Sequence, residues 1–361
     1  MSRPPHLLAV VSPHGFGHFA QTAPVIQALR QRVPGLRVTL MSRLPAELIH
    51  QRLGGEVAVV ERAADFGMIM RSAIDVDVAA THSAYRRLHR QWEERVTAFA
   101  ELLGALRPDW LLADVPYLPL AAAARLGLPA AALCSLNWAD IYQAYCGHLP
   151  GAREVEHQMR EAYASAAVFI RPRPAMPMAD LGNTGEVGPI ATLGRRRREQ
   201  LARQLGTEAR LVLVAPGGIP TAVDVNRWPV PQGYHLLVPR AWRPRHPGIT
   251  AIEDLGWSFS DLLASVDVLI TKPGYGSFVE ATCLGVPVLY VARGDWPEEP
   301  GLTAWLHRHA RAREISREDF YAGRLEVHLQ VLEGLPVPPP PQATGAEEAA
   351  ALLLNRLDRS V

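Results

Sequence analysis

The chain has 361 residues, of which 48% are hydrophobic and 20% are charged. These values are typical of a globular protein, and the length indicates two domains that each bury a core. The 37 Lys and Arg residues nearly balance the 36 Asp and Glu residues, which leaves a formal net charge of +1. This balance argues against a large nucleic-acid-binding surface and against a polybasic membrane anchor. The excess of arginine over lysine indicates a GC-rich bacterial genome.

Cysteine spacing and the apolar segments indicate where the protein resides. Cys134, Cys146 and Cys283 are widely spaced and form no CxxC motif, so neither a disulfide scaffold nor a zinc site is expected. The N-terminal run LLAVV is too short for a signal peptide, and no small-residue cleavage site follows it. No apolar run approaches the roughly 20 residues that span a bilayer. We therefore expect a cytoplasmic protein.

Short apolar runs alternate with helix-like segments through residues 1–170. The predicted strands are HLLAVV, LRVTLMS, GEVAVVER, DWLLAD and PAAALCS. Helices are predicted at APVIQALRQRV and LPLAAAARLGL, and one long helix is predicted over about residues 84–106. Strands that alternate with helices form parallel sheets with right-handed crossovers. We therefore expect residues 1–170 to form a doubly wound α/β domain.

The alternation stops after Ile170 and starts again near residue 191. Residues 171–190 are rich in Pro and Gly and are predicted to link two domains. Residues 191–334 show the alternation again, with RLVLV and GYHLLVP as strands and SFSDLLASV as a helix, so a second doubly wound domain is expected. Residues 335–361 combine a proline-rich stretch, which cannot continue a helix, with a predicted C-terminal helix.

The segment HGFGH, residues 14–18, directly follows the first predicted strand. Ligands of doubly wound domains bind at this position, and glycines let a ligand approach the backbone closely. His18 lies at the start of the next helix, where the helix dipole favours a neutral imidazole that can act as a base. The alternative is a tight turn with structural or solvated histidines, and the spacing alone does not decide between them.

The segment TKPGYGSFVEA, residues 271–281, again lies between a predicted strand and a helix. Gly274 and Gly276 open the loop, and the backbone N–H groups around Ser277 form a helix N-terminus suited to a diphosphate. Glu280 follows about one turn later, where a carboxylate can accept hydrogen bonds from a ribose diol. The alternative is a glycine turn followed by an exposed glutamate.

Three other segments carry weaker signals for ligand binding. The carboxylates of ARGDWPEEPG can accept hydrogen bonds from sugar hydroxyls, or the segment is an acidic surface loop. The glycines of APGGIP give a second place where a phosphate can approach the backbone. SLNWADIY offers side chains that can contact an acceptor, although its tryptophan also suits the core. The residues concerned are Asp295, Glu298 and Glu299 in the first, Gly217 and Gly218 in the second, and Asn137, Trp138 and Asp140 in the third. HExxH, GxxxxGK[ST] and GxSxG motifs do not occur in the sequence, which disfavours P-loop ATPases, and its one D-x-D spacing is Asp75-Val76-Asp77.

The two glycine loops together resemble those of GT-B glycosyltransferases of the family-28-like and MurG types. The resemblance is closer to the glycosyltransferase-like N-terminal region of plant L-arabinokinases, which carries GHGFGH, N/S-W-x-x-I-Y, GYGTxxEA and EEP. The counterparts here are PHGFGH, NWADIY, GYGSFVEA and EEP. The resemblance covers almost the whole chain but not the kinase portion of those proteins, so sugar phosphorylation is not implied.

The resemblance implies a GT-B fold, with two Rossmann-like domains facing a central cleft, and metal-independent, inverting sugar transfer. The donor is a nucleotide sugar, most commonly UDP-linked in the family, and no other cofactor is expected; a membrane contact is expected only for a lipid acceptor. His18 is the predicted catalytic base. The predicted nucleotide-binding residues are Gly217, Gly218, Lys272, Gly274, Tyr275, Gly276, Ser277 and Glu280. The predicted substrate-binding residues are His14, Gly17, Asn137, Trp138, Asp140, Asp295, Glu298 and Glu299.

Two other functions on the same fold stay open at this point. A nucleotide-sugar epimerase or hydrolase would turn over without an acceptor. A non-catalytic nucleotide-sugar-binding protein would bind tightly without turnover. The adjacent glutamates Glu298 and Glu299 depart from the Asp-Gln or Gln-Gln pair common at the donor-sugar contacts of the family, which leaves the identity of the sugar open.

Overall fold

The computed structural model describes residues 3–72, 75–217 and 223–357. The chain divides into two compact units, each built on one parallel sheet. Among the described residues, the first unit comprises 3–71, 75–190 and 343–357, and the second comprises 191–217 and 223–342 together with Ser72. No helix in these described ranges is long and apolar enough to cross a membrane.

The first unit contains a seven-stranded parallel sheet. Its strands are β1 (His6–Val11), β2 (Arg37–Met41), β3 (Ala58–Val60), β4 (Trp110–Asp114), β5 (Ala130–Leu133), β6 (Phe169–Pro172) and β7 (Thr184–Val187). They lie in the order β3-β2-β1-β4-β5-β6-β7. All residues of β1 and β5 are buried, as expected for continuous apolar strands that are covered on both faces.

Helices cover this sheet. They are α1 (Gly17–Arg32), α2 (Ala46–Leu53), α3 (Val78–Arg90), α4 (Trp92–Leu106), α5 (Leu118–Leu126), α6 (Trp138–Cys146) and α7 (Ala152–Ala164). The single long helix predicted over residues 84–106 is divided at Gln91, whose φ of −112° and ψ of 31° lie outside the helical range. The charge pattern continues across this break, which is why the sequence did not reveal it.

The second unit contains a six-stranded parallel sheet. Its strands are β8 (Arg210–Val214), β9 (Tyr234–Val238), β10 (Ile249–Ala251), β11 (Val268–Thr271), β12 (Val288–Tyr290) and β13 (Ala312–Glu314). The remaining helices of the chain are α8 (Arg198–Leu205), α9 (Phe259–Ser265), α10 (Tyr275–Leu284), α11 (Glu299–His309), α12 (Arg317–Ala322), α13 (Glu326–Gly334) and α14 (Gly345–Leu357). The strand order is β10-β9-β8-β11-β12-β13.

Both sheets have the strand order of the Rossmann fold, in which the first and fourth strands are neighbours. In the first unit, successive strands are added to one side of β1 up to β3 and then to its other side from β4 onward. In the second unit, the same reversal of strand order occurs between β8 and β11. Ligands of such folds bind at this switch point, beside the carboxyl ends of the strands. In the first unit, Val11 at the end of β1 lies next to Asp114 at the end of β4.

The segment 171–190, predicted as a linker, is part of the first sheet in the structure. It contains the end of β6 and all of β7, which pairs in parallel with β6. The strand β7 reads TGEV and lies at the sheet edge with only Val187 buried, so it lacks the apolar run that marks a central strand. Helix α14 also belongs to the first unit, where Glu347 pairs with Arg32 at 2.8 Å and Glu348 accepts the N–H of Gly188 at 2.7 Å.

A buried histidine in α3 makes the stability of the first unit dependent on pH. His89 donates Nδ1–H to the amide oxygen of Gln158 at 2.6 Å and accepts the Tyr117 hydroxyl at Nε2 at 2.7 Å. Its ring stacks on Trp92 with 5.1 Å between centroids. Burial lowers the pKa of His89 to about 4, so the ring stays neutral in the folded protein at neutral pH.

We expect this histidine to make the protein less stable in acid. Below about pH 6.5 the unfolded chain binds a proton that the folded chain takes up only near pH 4, so the free energy of unfolding falls as the pH decreases through this window. Between pH 7.5 and pH 5 the loss from this one group is about 2 kcal/mol. Denaturant unfolding at both pH values gives the decrease in the free energy of unfolding for the wild type and for His89→Gln. The difference between these two decreases is the contribution of His89. Equal losses in the two proteins would contradict this prediction.

Candidate active site

The switch point of the first unit holds a buried histidine and a buried aspartate. His18 is the second residue of α1, directly after the loop that follows β1, and Asp114 is the last residue of β4. His18 Nδ1 lies 3.0 Å from Asp114 Oδ1. A carboxylate that accepts the Nδ1–H leaves the lone pair of Nε2 free of a proton. His18 therefore has the tautomer that a general base needs.

Asp114 is held by further polar groups around it. Its Oδ2 accepts the hydroxyl of Thr22, one turn beyond His18, at 2.6 Å. Burial raises the pKa of Asp114, and the hydrogen bonds from His18, Thr22 and Cys134 oppose this increase. The Cys134 thiol also lies 3.5 Å from His18 Nδ1. One atom each of His18, Asp114 and Cys134 lies within 4.8 Å of the other two, as around a metal ion, but the hydrogen bonds account for this arrangement.

The HGFGH loop brings both of its histidines against the same tryptophan. Trp138 is the first residue of α6 and is completely buried. Its ring lies edge-on to His14 and His18, with centroid distances of 5.3 and 5.6 Å. Of the predicted substrate-binding residues, His14 and Trp138 therefore lie beside the predicted base, and Gly17 is the first residue of the helix that carries it. Trp138 supports the histidines from the interior.

Asn137 and Asp140 lie at the start of α6, which their side chains stabilise. The Asn137 side chain is the N-cap and accepts the N–H of Asp140 at 2.8 Å, while its amide donates to the Asp140 carboxylate at 2.8 Å. Asp140 also pairs with Arg160 at 2.8 Å. Contacts of Asn137 and Asp140 with an acceptor stay a prediction.

The second unit brings two predicted loops together at its own switch point. Gly217 follows β8, and Lys272 directly follows the neighbouring strand β11. An ideal Cβ at Gly217 would lie 3.2 Å from Lys272 Cε, and Gly217 has a φ of +99°, so a side chain there would be strained. Gly218, predicted with it, lies outside the described residues.

Lys272 is the only lysine in a chain that otherwise uses arginine for its basic residues. The residue is partly exposed, but its amino group is desolvated, and this burial lowers its pKa to about 7. The charge of Arg293 also lowers the pKa, whereas Glu298 and Glu299 raise it. A lysine ammonium is a compact charge whose pKa shifts readily, unlike that of an arginine. An anion bound at this place would favour the charged form of Lys272.

Helix α10 starts three residues after Lys272. Its N-cap is Gly274, and no side chain caps it, so its first N–H groups point outward without a capping oxygen. Gly276 and Tyr275 are buried, Ser277 is partly exposed, and Glu280 is buried one turn further along the helix. The lysine and the uncapped helix N-terminus together form an anion-binding arrangement.

The glutamates of the EEP segment interact with their own loop. Glu299 begins α11 and accepts the N–H of Arg293 at 2.9 Å and of Gly294 at 3.3 Å. Burial raises the pKa of Glu299. Glu298 accepts the indole N–H of Trp296 at 3.2 Å. Both glutamates are buried, whereas Asp295 on the same loop is exposed, so the structure uses this pair to shape the loop.

No function is predicted for Asp114 from the sequence alone. The feature of the sequence that could have indicated a role is that Asp114 is the last residue of a predicted strand. Only the strand order, which makes β4 a neighbour of β1, brings it to His18. A Rossmann order assumed from the start would have indicated this pair, because residues that end neighbouring parallel strands lie side by side.

Comparisons with known proteins support the fold and give one relative. No protein-family profile matches the chain. The chain is 24% identical over 335 residues to an L-arabinokinase of Arabidopsis thaliana, which covers 89% of this chain and 31% of the relative. The chain thus spans about a third of the length of that curated relative.

Solved structures align over nearly the whole chain. The glycotransferase of kitacinnamycin aligns with a TM-score of 0.59 and 19% identity, over 99% of this chain and 96% of that one. The glycosyltransferase VinC, solved in complex with dTDP, aligns with a TM-score of 0.55 and 14% identity, over 98% of this chain and all of that one. The chain therefore has the α/β GT-B fold, built from two Rossmann-like units.

Proposed function

We propose that the protein is a metal-independent glycosyltransferase that moves a sugar from a nucleoside-diphosphate sugar to an acceptor hydroxyl. The observation that carries the proposal is the buried pair of His18 and Asp114, 3.0 Å apart at the switch point of the first unit. The GT-B fold and the anion-binding arrangement around Lys272 agree with it, as does the dTDP complex of VinC. The L-arabinokinase relative supports sugar chemistry through a region similar to this chain.

The reaction is a single displacement at the anomeric carbon. His18 Nε2 takes the proton of the acceptor hydroxyl, whose oxygen forms a bond to the anomeric carbon. The bond from that carbon to the diphosphate oxygen breaks, and its electron pair leaves with the nucleoside diphosphate. Asp114 keeps the Nδ1–H of His18 oriented and stabilises the imidazolium that forms. One displacement inverts the anomeric configuration.

The second unit binds the donor in this proposal. Lys272 and the N-terminus of α10 stabilise the negative charge that develops on the diphosphate, the role that a metal ion has in other enzymes. Gly217 keeps space for the phosphates next to Lys272. Glu280 receives the ribose hydroxyls, and uracil is the proposed base because UDP sugars are the commonest donors in the family that the chain resembles.

Lys272→Met is expected to weaken UDP binding by about 10- to 100-fold at pH 6.5, because a hydrogen-bonded charge is lost. The wild-type affinity is expected to fall as the pH rises through 7, since Lys272 then loses its proton. Calorimetric titration of both proteins at pH 6.5 and 8.5 measures this, and the variant corrects for the titration of UDP itself.

The single lysine also permits a direct measurement of its pKa. Acylation of Lys272, located by mass spectrometry, is expected to reach half its maximal rate near pH 7 and to be slowed by UDP. A midpoint near the usual lysine value of about 10.4 would contradict the lowered pKa. Labelling that UDP does not slow would contradict the placement of the diphosphate.

The proposed function is tested by donor turnover in the presence and absence of acceptors. A panel of nucleotide sugars is first screened for thermal stabilisation, since a ligand that binds only the folded state raises its stability. Stabilising donors are then incubated with acceptor alcohols, and product is detected by mass spectrometry. Acceptor-dependent transfer supports the proposal. Acceptor-independent conversion would indicate an epimerase or hydrolase, and tight binding without turnover a binding protein.

A further inference from the structure

A second buried carboxylate, Asp65, lies near the histidine loop in the first unit. Only 8% of this residue is exposed. Its Oδ2 accepts the indole N–H of Trp138 at 2.6 Å. Its Oδ1 is also buried and, within the described part of the chain, has no hydrogen bond of normal geometry. The Ser12 hydroxyl also interacts with this carboxylate. Burying a carboxylate is costly for folding, so its presence points to a role beyond stability.

Asp65 is connected to both histidines through Trp138. The indole that Asp65 holds lies edge-on to His14 and His18. The same segment also contacts His14 directly, because an ideal Cβ at Gly67 would lie only 2.7 Å from His14 Cγ. A side chain at residue 67 would displace that imidazole. The segment that carries Asp65 therefore limits where the two imidazole rings can lie.

We propose that Asp65 is a positioning residue of the base site, which fixes Trp138 against the two histidine rings and adds a second carboxylate to the surroundings of His18. The inference rests on the proposed sugar transfer, in which His18 gains a proton and becomes positive. Asp114 stabilises that charge by direct contact, and Asp65 does so through space. Asp65 itself touches neither the acceptor nor the donor.

The charge of Asp65 changes near pH 6. Burial raises the pKa of Asp65 to about 6; the nearby Ser12 hydroxyl, the Trp138 indole and the charge of His18 lower it, and Asp114 raises it further. His14 lies on the same tryptophan and against Gly67. Three phenols of the described residues also interact with Asp65, and burial raises their pKa values so that they stay neutral: Tyr85, Tyr117 and Tyr163. The effect on His18 is therefore present above about pH 6 and lost below it.

Asp65→Asn separates the charge of this residue from its shape. The amide oxygen of asparagine can still accept the Trp138 N–H, so the variant is expected to fold. The matched control is Asp77→Asn, which removes another carboxylate of the first unit and keeps the cap of α3, because asparagine caps helices as well as aspartate does.

The direct test is an NMR titration of the His18 imidazole, whose signal is assigned with His18→Gln. The His18 midpoint is expected to fall by about half a pH unit in Asp65→Asn and to stay unchanged in Asp77→Asn. A midpoint in Asp65→Asn equal to that of the wild type would overturn the proposal. This measurement needs no substrate, so it decides on Asp65 even if the wild type transfers no sugar and the proposed function fails.

Kinetics supply a second readout. In Asp65→Asn, the acid limb of the profile of kcat/KM against pH is expected to move to lower pH, and the plateau is expected to fall about 3- to 10-fold because His18 is a weaker base. The donor KM is expected to stay unchanged. A purely structural role would lower kcat without moving the limb, and that result would also contradict the proposal.

Discussion

Replacing His18 by alanine is expected to lower the rate of sugar transfer by about 10³-fold, the range of a lost general base. The acceptor hydroxyl would then have to lose its proton to water during the attack. Binding of the donor nucleotide is expected to be unchanged, because the groups proposed to hold it belong to the second unit. The measurement is kcat for transfer, together with the calorimetric UDP affinity, which tests whether donor binding is unchanged.

His18→Gln is the matched variant for this prediction. Glutamine can hydrogen-bond to Asp114 but cannot take a proton at neutral pH, so it is expected to be as inactive as alanine. His14→Ala is expected to lose much less activity, because the proposed base is His18, which contacts Asp114, whereas His14 packs against Trp138. A His18→Ala protein with a rate near that of the wild type would remove His18 from the reaction.

Asp114→Asn is expected to lower kcat by at least about 100-fold. If the asparagine oxygen faces His18, the tautomer is kept but the negative charge that stabilises the imidazolium is lost. If its amide nitrogen faces His18, Nδ1 becomes the acceptor and the proton moves to Nε2, where it blocks the base. Both arrangements weaken the same step. The measurement is kcat over a range of pH.

Thr22→Val is the control for the environment of Asp114. It removes the hydroxyl that donates to Asp114 Oδ2 at 2.6 Å but leaves the carboxylate and its contact with His18. A loss of only a few-fold is expected. Equal losses in Asp114→Asn and Thr22→Val would mean that packing around the pair, and not the charge of Asp114, controls the rate.

Central strands and glycine loops are the parts of this fold that the sequence predicts well. The runs HLLAVV and DWLLAD became β1 and β4 because a strand that is covered on both faces must be apolar throughout. The edge strand β7 escaped prediction because TGEV has neither an apolar run nor alternation. Its place is set by pairing with β6, which is a tertiary contact.

The same distinction applies to the candidate site. HGFGH and KPGYGS are visible in the sequence because each is a loop directly after an apolar strand. Asp114 needs the strand order, and Asp65 needs a contact with Trp138, which is 73 residues away in the sequence. The local sequence pattern contains neither the strand order nor the contact with Trp138. Residues 61–70 alone therefore predict no role for Asp65.

In the acidic EEP segment, the sequence suggests a role for residues that also have a structural explanation. Carboxylates on a loop after a strand suit sugar hydroxyls, and the sequence favours that interpretation through the family resemblance. In the structure, Glu299 accepts two backbone N–H groups of its own loop, and Glu298 accepts an indole N–H. A carboxylate can satisfy loop donors as well as a ligand, and residue type alone does not separate the two uses.

The most direct test of base-assisted sugar transfer is NMR of the anomeric proton during turnover. With an α-linked nucleotide sugar and an acceptor alcohol, the wild type is expected to form a β-linked product in an amount equal to the nucleoside diphosphate released. His18→Gln is expected to form neither at a comparable rate. An α-linked product, or equal turnover by His18→Gln, would contradict a single displacement in which His18 activates the acceptor.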